Sequence, residues 1–306
     1  SPMLVACGGG GGSSAPSNAG LGSASNSINA DNEKQVVAAV IGSMHALDYN
    51  VDTSDKTALA APSTSLSARA RAAINEEKSS RAATQLPGYC MSGTATIDEA
   101  TQTQTFNQCA LVIKGKSLVM NGSVTTTDIS KETGSAFDTK TTYSNYGVEL
   151  KISASDFIKT VLDGYLLDTT TATEEKSQTK FSMLTSYTCE GKSGSYSGNF
   201  DLASNATFAE QESAYDENGT LTMIGSPGFA GKLTIKTLEP MRYRDGYNDA
   251  NAYAGEVSLT AEDGSAAVMK FVAGGLFVNG TFYTWEQYQA QFVIDQAMAP
   301  CLKPAR

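Results

Sequence analysis

From Tyr89 onward apolar residues return at every second position, and this period restricts the body of the chain to β structure. Tyr146, Val148, Leu150 and Ile152 alternate with Gly147, Glu149, Lys151 and Ser153. Leu233 and Ile235 alternate with Lys232, Thr234 and Lys236, and Val257 and Leu259 with Glu256, Ser258 and Thr260. Strands written this way have one apolar and one polar face, as in an antiparallel sheet with a wet side. Asn121-Gly122, Asn218-Gly219 and Asn279-Gly280 have the composition of tight turns, and Asn218-Gly219 sits most cleanly between two strand runs.

A weak repeat sharpens the architecture. An apolar residue, a glycine two positions later and a second apolar residue two beyond that recur seven times, around Gly93, Gly122, Gly164, Gly198, Gly231, Gly255 and Gly280. Each glycine has the parity of the core-facing residues, so each is expected to open a notch on the core face. Such notches let a sheet bend sharply or another element approach closely. Repeated in register, they curl an antiparallel sheet into a half-barrel or coiled sandwich. The expected fold is mainly β: a long curled antiparallel sheet with an N-terminal helical region and a C-terminal helix.

The flanks are helical. Val36, Val37, Val40, Ile41, Met44 and Leu47 repeat at helical spacing and predict an amphipathic helix from about 29 to 48, started by Asn29 or Asp31. A second Ala/Arg-rich helical stretch is expected from about Ser65 to Arg81. Near the end, Thr284 and Gln287 form a capping box ahead of a Trp285, Tyr288, Phe292 stripe. The expected organisation is a helical region over 29–85, a β body over 86–283, and a C-terminal helix and tail over 284–306.

Ahead of these lies Leu4-Val5-Ala6-Cys7, which resembles a bacterial lipobox. The resemblance implies a diacylglycerol thioether on Cys7, with residues 1–6 as the remainder of a trimmed signal peptide. Multiple acyl chains on one residue anchor durably, at roughly 0.8 kcal/mol per buried methylene. Gly8 stands where lipoproteins retained in the inner membrane usually carry Asp, so the resemblance points to the outer membrane. Residues 7–28, rich in Gly, Ser, Ala and Asn, then form a flexible tether with a reach of roughly 25 Å. The expected location is the outer membrane, lipid-anchored, at its periplasmic face or the cell surface.

Export permits disulfides. With Cys7 acylated, Cys90, Cys109, Cys189 and Cys301 remain and allow three pairings. Cys90 with Cys109 would staple neighbouring strands, and Cys189 with Cys301 would tie the C-terminus to the sheet; that pairing is preferred.

Thr105-Phe106-Asn107-Gln108-Cys109 followed by Val119-Met120-Asn121-Gly122, with a late Gly-x-apolar-x-apolar run before Trp285, resembles uncharacterised β-rich proteobacterial outer-membrane lipoproteins. This resemblance covers most of 89–290. It implies envelope location and antiparallel β structure, and carries no established activity.

The inventory of reactive residues is thin. His45 is the single histidine, beside Met44 on the first helix, so histidine-based metal sites and His-dependent triads have almost no material. Gly115-Lys116-Ser117 and Gly191-Lys192-Ser193 lack the leading glycine of a phosphate loop and read as turns. Ser177-Gln178-Thr179-Lys180 lacks the companion motifs of penicillin-binding enzymes and reads as a strand edge. Asp98-Glu99, Glu174-Glu175, Asp216-Glu217 and Glu262-Asp263 read as solvated charges where strands end. No C-x-x-C occurs, and the acidic loops lack full calcium-loop spacing. No catalytic, cofactor or metal set is therefore expected.

A net charge of −10 without a basic stripe argues against nucleic acid. Arg242, Tyr243, Arg244, Tyr247 and Tyr253 form a turn-rich aromatic and cationic cluster that could stack on a glycan or anchor a partner, although tyrosines so placed more often cover a sheet edge. The function expected first is a non-catalytic, lipid-anchored envelope protein acting by surface contact: adhesion, a matrix scaffold, or a self-assembling extracellular fibre subunit. Self-association through strand edges belongs to that reading. The alternative is a carrier of a lipid or other apolar ligand in a half-barrel groove. A carboxylate-based glycan hydrolase comes third.

Overall fold

The computed structural model describes residues 25–46, 90–113, 116–209, 212–225, 228–244, 252–292 and 301. Cys7, expected to carry a lipid, the expected helical stretch 65–81 and Tyr247 lie outside the described residues. Among the described residues one helix, α1 (Glu33–Ala46), precedes thirteen strands. They are β1 (Ser92–Asp98), β2 (Thr103–Ile113), β3 (Lys116–Asp128), β4 (Thr139–Lys151), β5 (Phe157–Thr170), β6 (Glu174–Cys189), β7 (Lys192–Ala209), β8 (Glu212–Ile224), β9 (Gly231–Arg244), β10 (Ala254–Ala261), β11 (Ala266–Val272), β12 (Gly275–Val278) and β13 (Thr281–Thr284). A short helix, α2 (Trp285–Gln291), follows. Each strand pairs antiparallel with the next, in one open meander that does not close into a barrel.

The alternation read from sequence sets the two faces. On β6, Phe181, Met183, Tyr187 and Cys189 are buried while Lys180, Ser182 and Leu184 are exposed. Partners directly across the ladder share a face, so Phe181 meets Phe200 of β7, ring centroids 4.6 Å apart, and Phe200 meets Leu221 of β8. The inner face continues through Leu233, Ile235, Val257, Leu259, Met269 and Leu276, all fully or almost fully buried.

What covers that face is α1, and here the structure departs from the amphipathic expectation. Six consecutive residues, Val36 to Ile41, are between 0 and 9% exposed, so this stretch of helix has no wet side. A helix buried all round needs apolar partners all round. The buried cluster that contains it also holds inner-face residues from β1 through β12, so helix and sheet share one core. The sequence pattern concealed this because Ala38 and Ala39, small enough to read as neutral, fill the side opposite Val36 and Val37.

The entrance to α1 is fastened by a buried asparagine. Asn32 donates from Nδ2 to the carbonyls of Ser27 and Gly228, both at 2.8 Å, while its Oδ1 accepts from the Asn29 backbone. Ser25 bridges Phe229, and Ile28 is buried with its N–H on Ser265 Oγ at 2.7 Å. Residues 25–28, expected as tether, already belong to the packed body.

The Asx-Gly dipeptides do two different things. Asn279-Gly280 forms the two-residue turn between β12 and β13, with φ of 47° and 84°. Asn121-Gly122 and Asn218-Gly219, expected as turns, lie inside β3 and β8. There the register of a neighbouring strand shifts, and the Asx side chain accepts the N–H of a residue at that irregularity. Asn121 Oδ1 takes the Gln108 N–H at 2.8 Å, Asp163 Oδ1 that of Asn145 at 3.0 Å, and Asn218 Oδ1 that of Thr237 at 3.0 Å. Gly122 and Gly164 then supply positive φ, 90° and 135°, where a Cβ would run into the carbonyls of Asn145 and Lys180. At these two positions the glycine yields to the next strand within the sheet, rather than opening a notch toward the core as expected. Bulges of this kind increase local twist, which is how a long meander curls.

Two disulfides close the structure: Cys90–Cys109, with Cα atoms 5.1 Å apart, and Cys189–Cys301, 6.0 Å apart. The first fixes the entry to β1 on β2. The second brings the C-terminal segment from β13 to the end of β6, seven strands away in the sheet. At α2 the Thr284–Gln287 capping box forms in both directions, Trp285 stacks on Phe271, and Tyr288 and Phe292 pack together.

Candidate contact surface

With α1 inside, the groups the sheet offers to a partner are on its outer face. The registers place Thr103, Thr125, Thr142, Tyr165, Lys180, Asp201, Thr220, Thr234 and Thr260 directly across from one another on β2 to β10. The Thr103 and Thr125 hydroxyls are bonded at 2.9 Å. Lys180 and Asp201 pair at 3.3 Å, which removes the net charge at the middle of the row. That row presents hydroxyls on a rigid backbone with little net field. A shorter apolar strip lies beside it: Val161, Leu184, Ser197 and Ile224 face one another across β5 to β8, with Leu184 49% and Ile224 55% exposed.

One cleft interrupts this face. The connection from β3 to β4 folds over the outer side of those strands and encloses about 650 Å³ against Thr127, Lys140, Thr142 and Leu167, with Ile129 and Phe137 on the overhanging side. Lys140 sits 5.0 Å from the centre of the Tyr165 ring at its floor.

The cluster singled out in the sequence is divided by the sheet. Arg242 and Arg244, two apart on β9, point outward; Tyr243 between them points in and packs against the core. Tyr253 joins the arginines from the start of β10, with the Arg244 guanidinium 4.5 Å above its ring. Glu212, at the start of β8, accepts hydrogen bonds from both Tyr253 Oη and Arg242. These bonds, Tyr253's first and Arg242's second, hold the Glu212 carboxyl below its usual range. The same hydrogen bond, with some desolvation, raises the Tyr253 phenol. This is a satisfied rim that locks β8, β9 and β10 together, with the outward guanidinium of Arg244 as its accessible donor. Sequence reasoning missed Glu212, whose partners are 30 and 41 residues away.

Two acidic pairs are also corrected. Glu175 and Glu217, expected as solvated turn charges, are 3% and 2% exposed on the inner face, with Asp168 at 3% nearby on β5. Strand parity sends them inward: Glu217 lies mid-strand on β8 across from Ser204. Tyr215 is driven well above the ordinary phenol range by burial first and by the Glu217 charge second. Ser177 to Lys180 lies within β6, paired on both sides by β5 and β7, so it is interior strand rather than strand edge. His45 falls in α1. Among the described residues no group of three or more His, Cys, Asp or Glu could hold a metal ion, and no helix is long and apolar enough to cross a membrane.

Comparison with protein-family models, curated proteins and solved structures finds no significant match.

Proposed function

We propose that this chain is a lipid-anchored bacterial envelope protein without catalytic activity that works by surface contact, as an adhesin or matrix scaffold. The observation that carries the reading is the filled interior. A carrier of apolar ligands needs a groove lined by apolar side chains, and the apolar inner face is occupied by the chain's own α1, buried on every side over residues 36–41. What remains for recognition is the outer face, with its threonine row, exposed Leu184 and Ile224 strip and overhung cleft. A fixed array of hydroxyls on β strands suits a broad, weakly charged partner such as a polysaccharide, because many modest hydrogen bonds add across the array without ordering flexible side chains. Leu4-Val5-Ala6-Cys7 and the glycine tract support attachment through acylated Cys7.

Three measurements test the reading. Labelled palmitate fed to cells is incorporated into the wild type and lost in Cys7→Ala; equal labelling of both refutes the anchor. Native mass spectrometry of detergent-free protein produced as Cys7→Ala shows no mass beyond that of the polypeptide, as monomer or dimer, and binding to purified envelope polysaccharide falls at least tenfold in Thr142→Lys/Thr220→Lys/Thr234→Lys. A stoichiometric bound lipid, or polysaccharide binding indifferent to the three lysines, refutes surface contact through this face.

A further inference from the structure

The sheet has two ends, and they are unlike. At β13 the terminal strand is four residues long and runs straight into α2, whose capping residue Thr284 is the strand's last. At β1 the terminal strand is seven residues long, and no described strand pairs with its other side. Edge strands in monomeric proteins are usually blunted by lysine, proline or inward-pointing charge. Ser92-Gly93-Thr94-Ala95-Thr96-Ile97-Asp98 has no lysine, arginine or proline. Its one charge, Asp98, stands at the far end, where its Oδ1 accepts from the N–H groups of Ala100 and Thr101. The strand is also held for pairing: the Cys90–Cys109 disulfide pins its start, and Met91 N–H bonds the Ala110 carbonyl at 2.7 Å.

We infer that β1 pairs antiparallel with β1 of a second copy of this chain, about a two-fold axis at Ala95. In that register Thr94 lies opposite the partner's Thr96, Gly93 opposite the partner's Ile97, and Ser92 opposite the partner's Asp98. No like charges meet, and each copy's only charge faces a hydroxyl. The cross-strand threonine pair that results already stabilises this sheet elsewhere, at Thr103–Thr125 (2.9 Å) and Thr160–Thr185 (3.1 Å). On the inner side Ala95 lies at the axis and Ile97, of the same parity, stands opposite the partner's Gly93, so the one large side chain of that face meets the smallest residue. Pairing through β13 would match only four residues. The two-fold pairing uses all seven, and because it joins a patch to itself it closes as a dimer instead of propagating as a fibre. The inference rests on none of the outer-face groups invoked for recognition on β2 to β10, so its failure leaves the surface-contact reading standing.

Sedimentation velocity on the full chain carrying Cys7→Ala, from about 1 μM to ~1 mM, tests it with two variants at exposed positions of β1. Wild-type β1 shows a concentration-dependent dimer. Thr94→Lys/Thr96→Lys sets lysine against lysine across the seam and raises the dissociation constant at least about tenfold. Thr94→Lys/Thr96→Glu sets each lysine against a glutamate and restores the dimer. A monomer over the whole range overturns the inference, as does a dimer indifferent to the paired lysines, failure of the Lys/Glu variant to recover, or growth into higher oligomers. The Lys/Glu comparison keeps the test decisive even where the double lysine variant folds poorly.

Discussion

A charge placed on either side of α1 should unfold this protein, and that result separates a helix inside the sheet from one lying upon it. Val37 and Ala39 are roughly 160° apart around a helix axis, yet both are almost fully buried, at 0% and 3% exposure. Val37→Ala removes two methyl groups, roughly 1.6 kcal/mol of transfer free energy. The space left, roughly 50 Å³, adds about 1 kcal/mol at roughly 24 cal/mol per Å³. The sum, about 2.5 kcal/mol, lowers the melting temperature by about 5–10 °C for a domain of this size. An amphipathic helix also shows that much on one face, so the deciding substitution is Ala39→Glu. On a surface it would cost within about 0.5 kcal/mol. Enclosed, it buries a carboxylate at a cost of several kcal/mol and leaves little folded protein at 25 °C. Both variants are compared with wild type by thermal and urea unfolding followed by circular dichroism. Wild-type stability in Ala39→Glu would refute the enclosure of α1, and with it the argument that the interior is closed to ligands.

The two disulfides should contribute unequally. By chain entropy, Cys189–Cys301, spanning 112 residues, contributes about 4.8 kcal/mol, and Cys90–Cys109, spanning 19, about 3.2 kcal/mol. Paired Cys→Ser variants in urea titrations check the order, and an equal or reversed loss counts against the loop-length account. Gly164→Ala forces a Cβ toward the Lys180 carbonyl at φ 135° and should destabilise by about 1–3 kcal/mol, whereas Gly147→Ala, with ordinary contacts no closer than 3.5 Å, should cost less. Asp263, held to about 2 by hydrogen bonds from the Ser265 and Ser27 hydroxyls and the Ser265 N–H, lies below its ordinary 3.8. A depressed carboxylate stabilises fully above its unfolded value and loses that contribution as pH falls through the folded one. The difference in melting temperature between wild type and Asp263→Asn should therefore shrink between pH 4 and pH 2, and a difference that stays constant over that window would contradict a stabilising role for these hydrogen bonds.

Period-2 alternation by itself determined that residues beyond 89 form antiparallel strands and which side chains share a face, because that pattern depends only on backbone geometry. Leu233, Ile235, Val257 and Leu259 are inside for the reason read from the sequence, and the Thr284–Gln287 cap forms because both partners lie within one helical turn. Properties shared between distant strands were not legible. Asn121-Gly122 and Asn279-Gly280 are the same dipeptide, yet one answers an irregularity on the neighbouring strand and the other turns a hairpin; only the register distinguishes them. Glu217 reads as a turn charge until its strand is seen to run through it. Arg242 and Arg244 separate from Tyr243 only once parity is fixed in β9, and Glu212 joins them only through pairing with β8. Above all, the helical period from Val36 to Ile41 marks a helix but not its surroundings. Whether α1 would keep one wet side or be buried all round depended on inner-face residues from strands far along the chain, a property that belongs to no single segment.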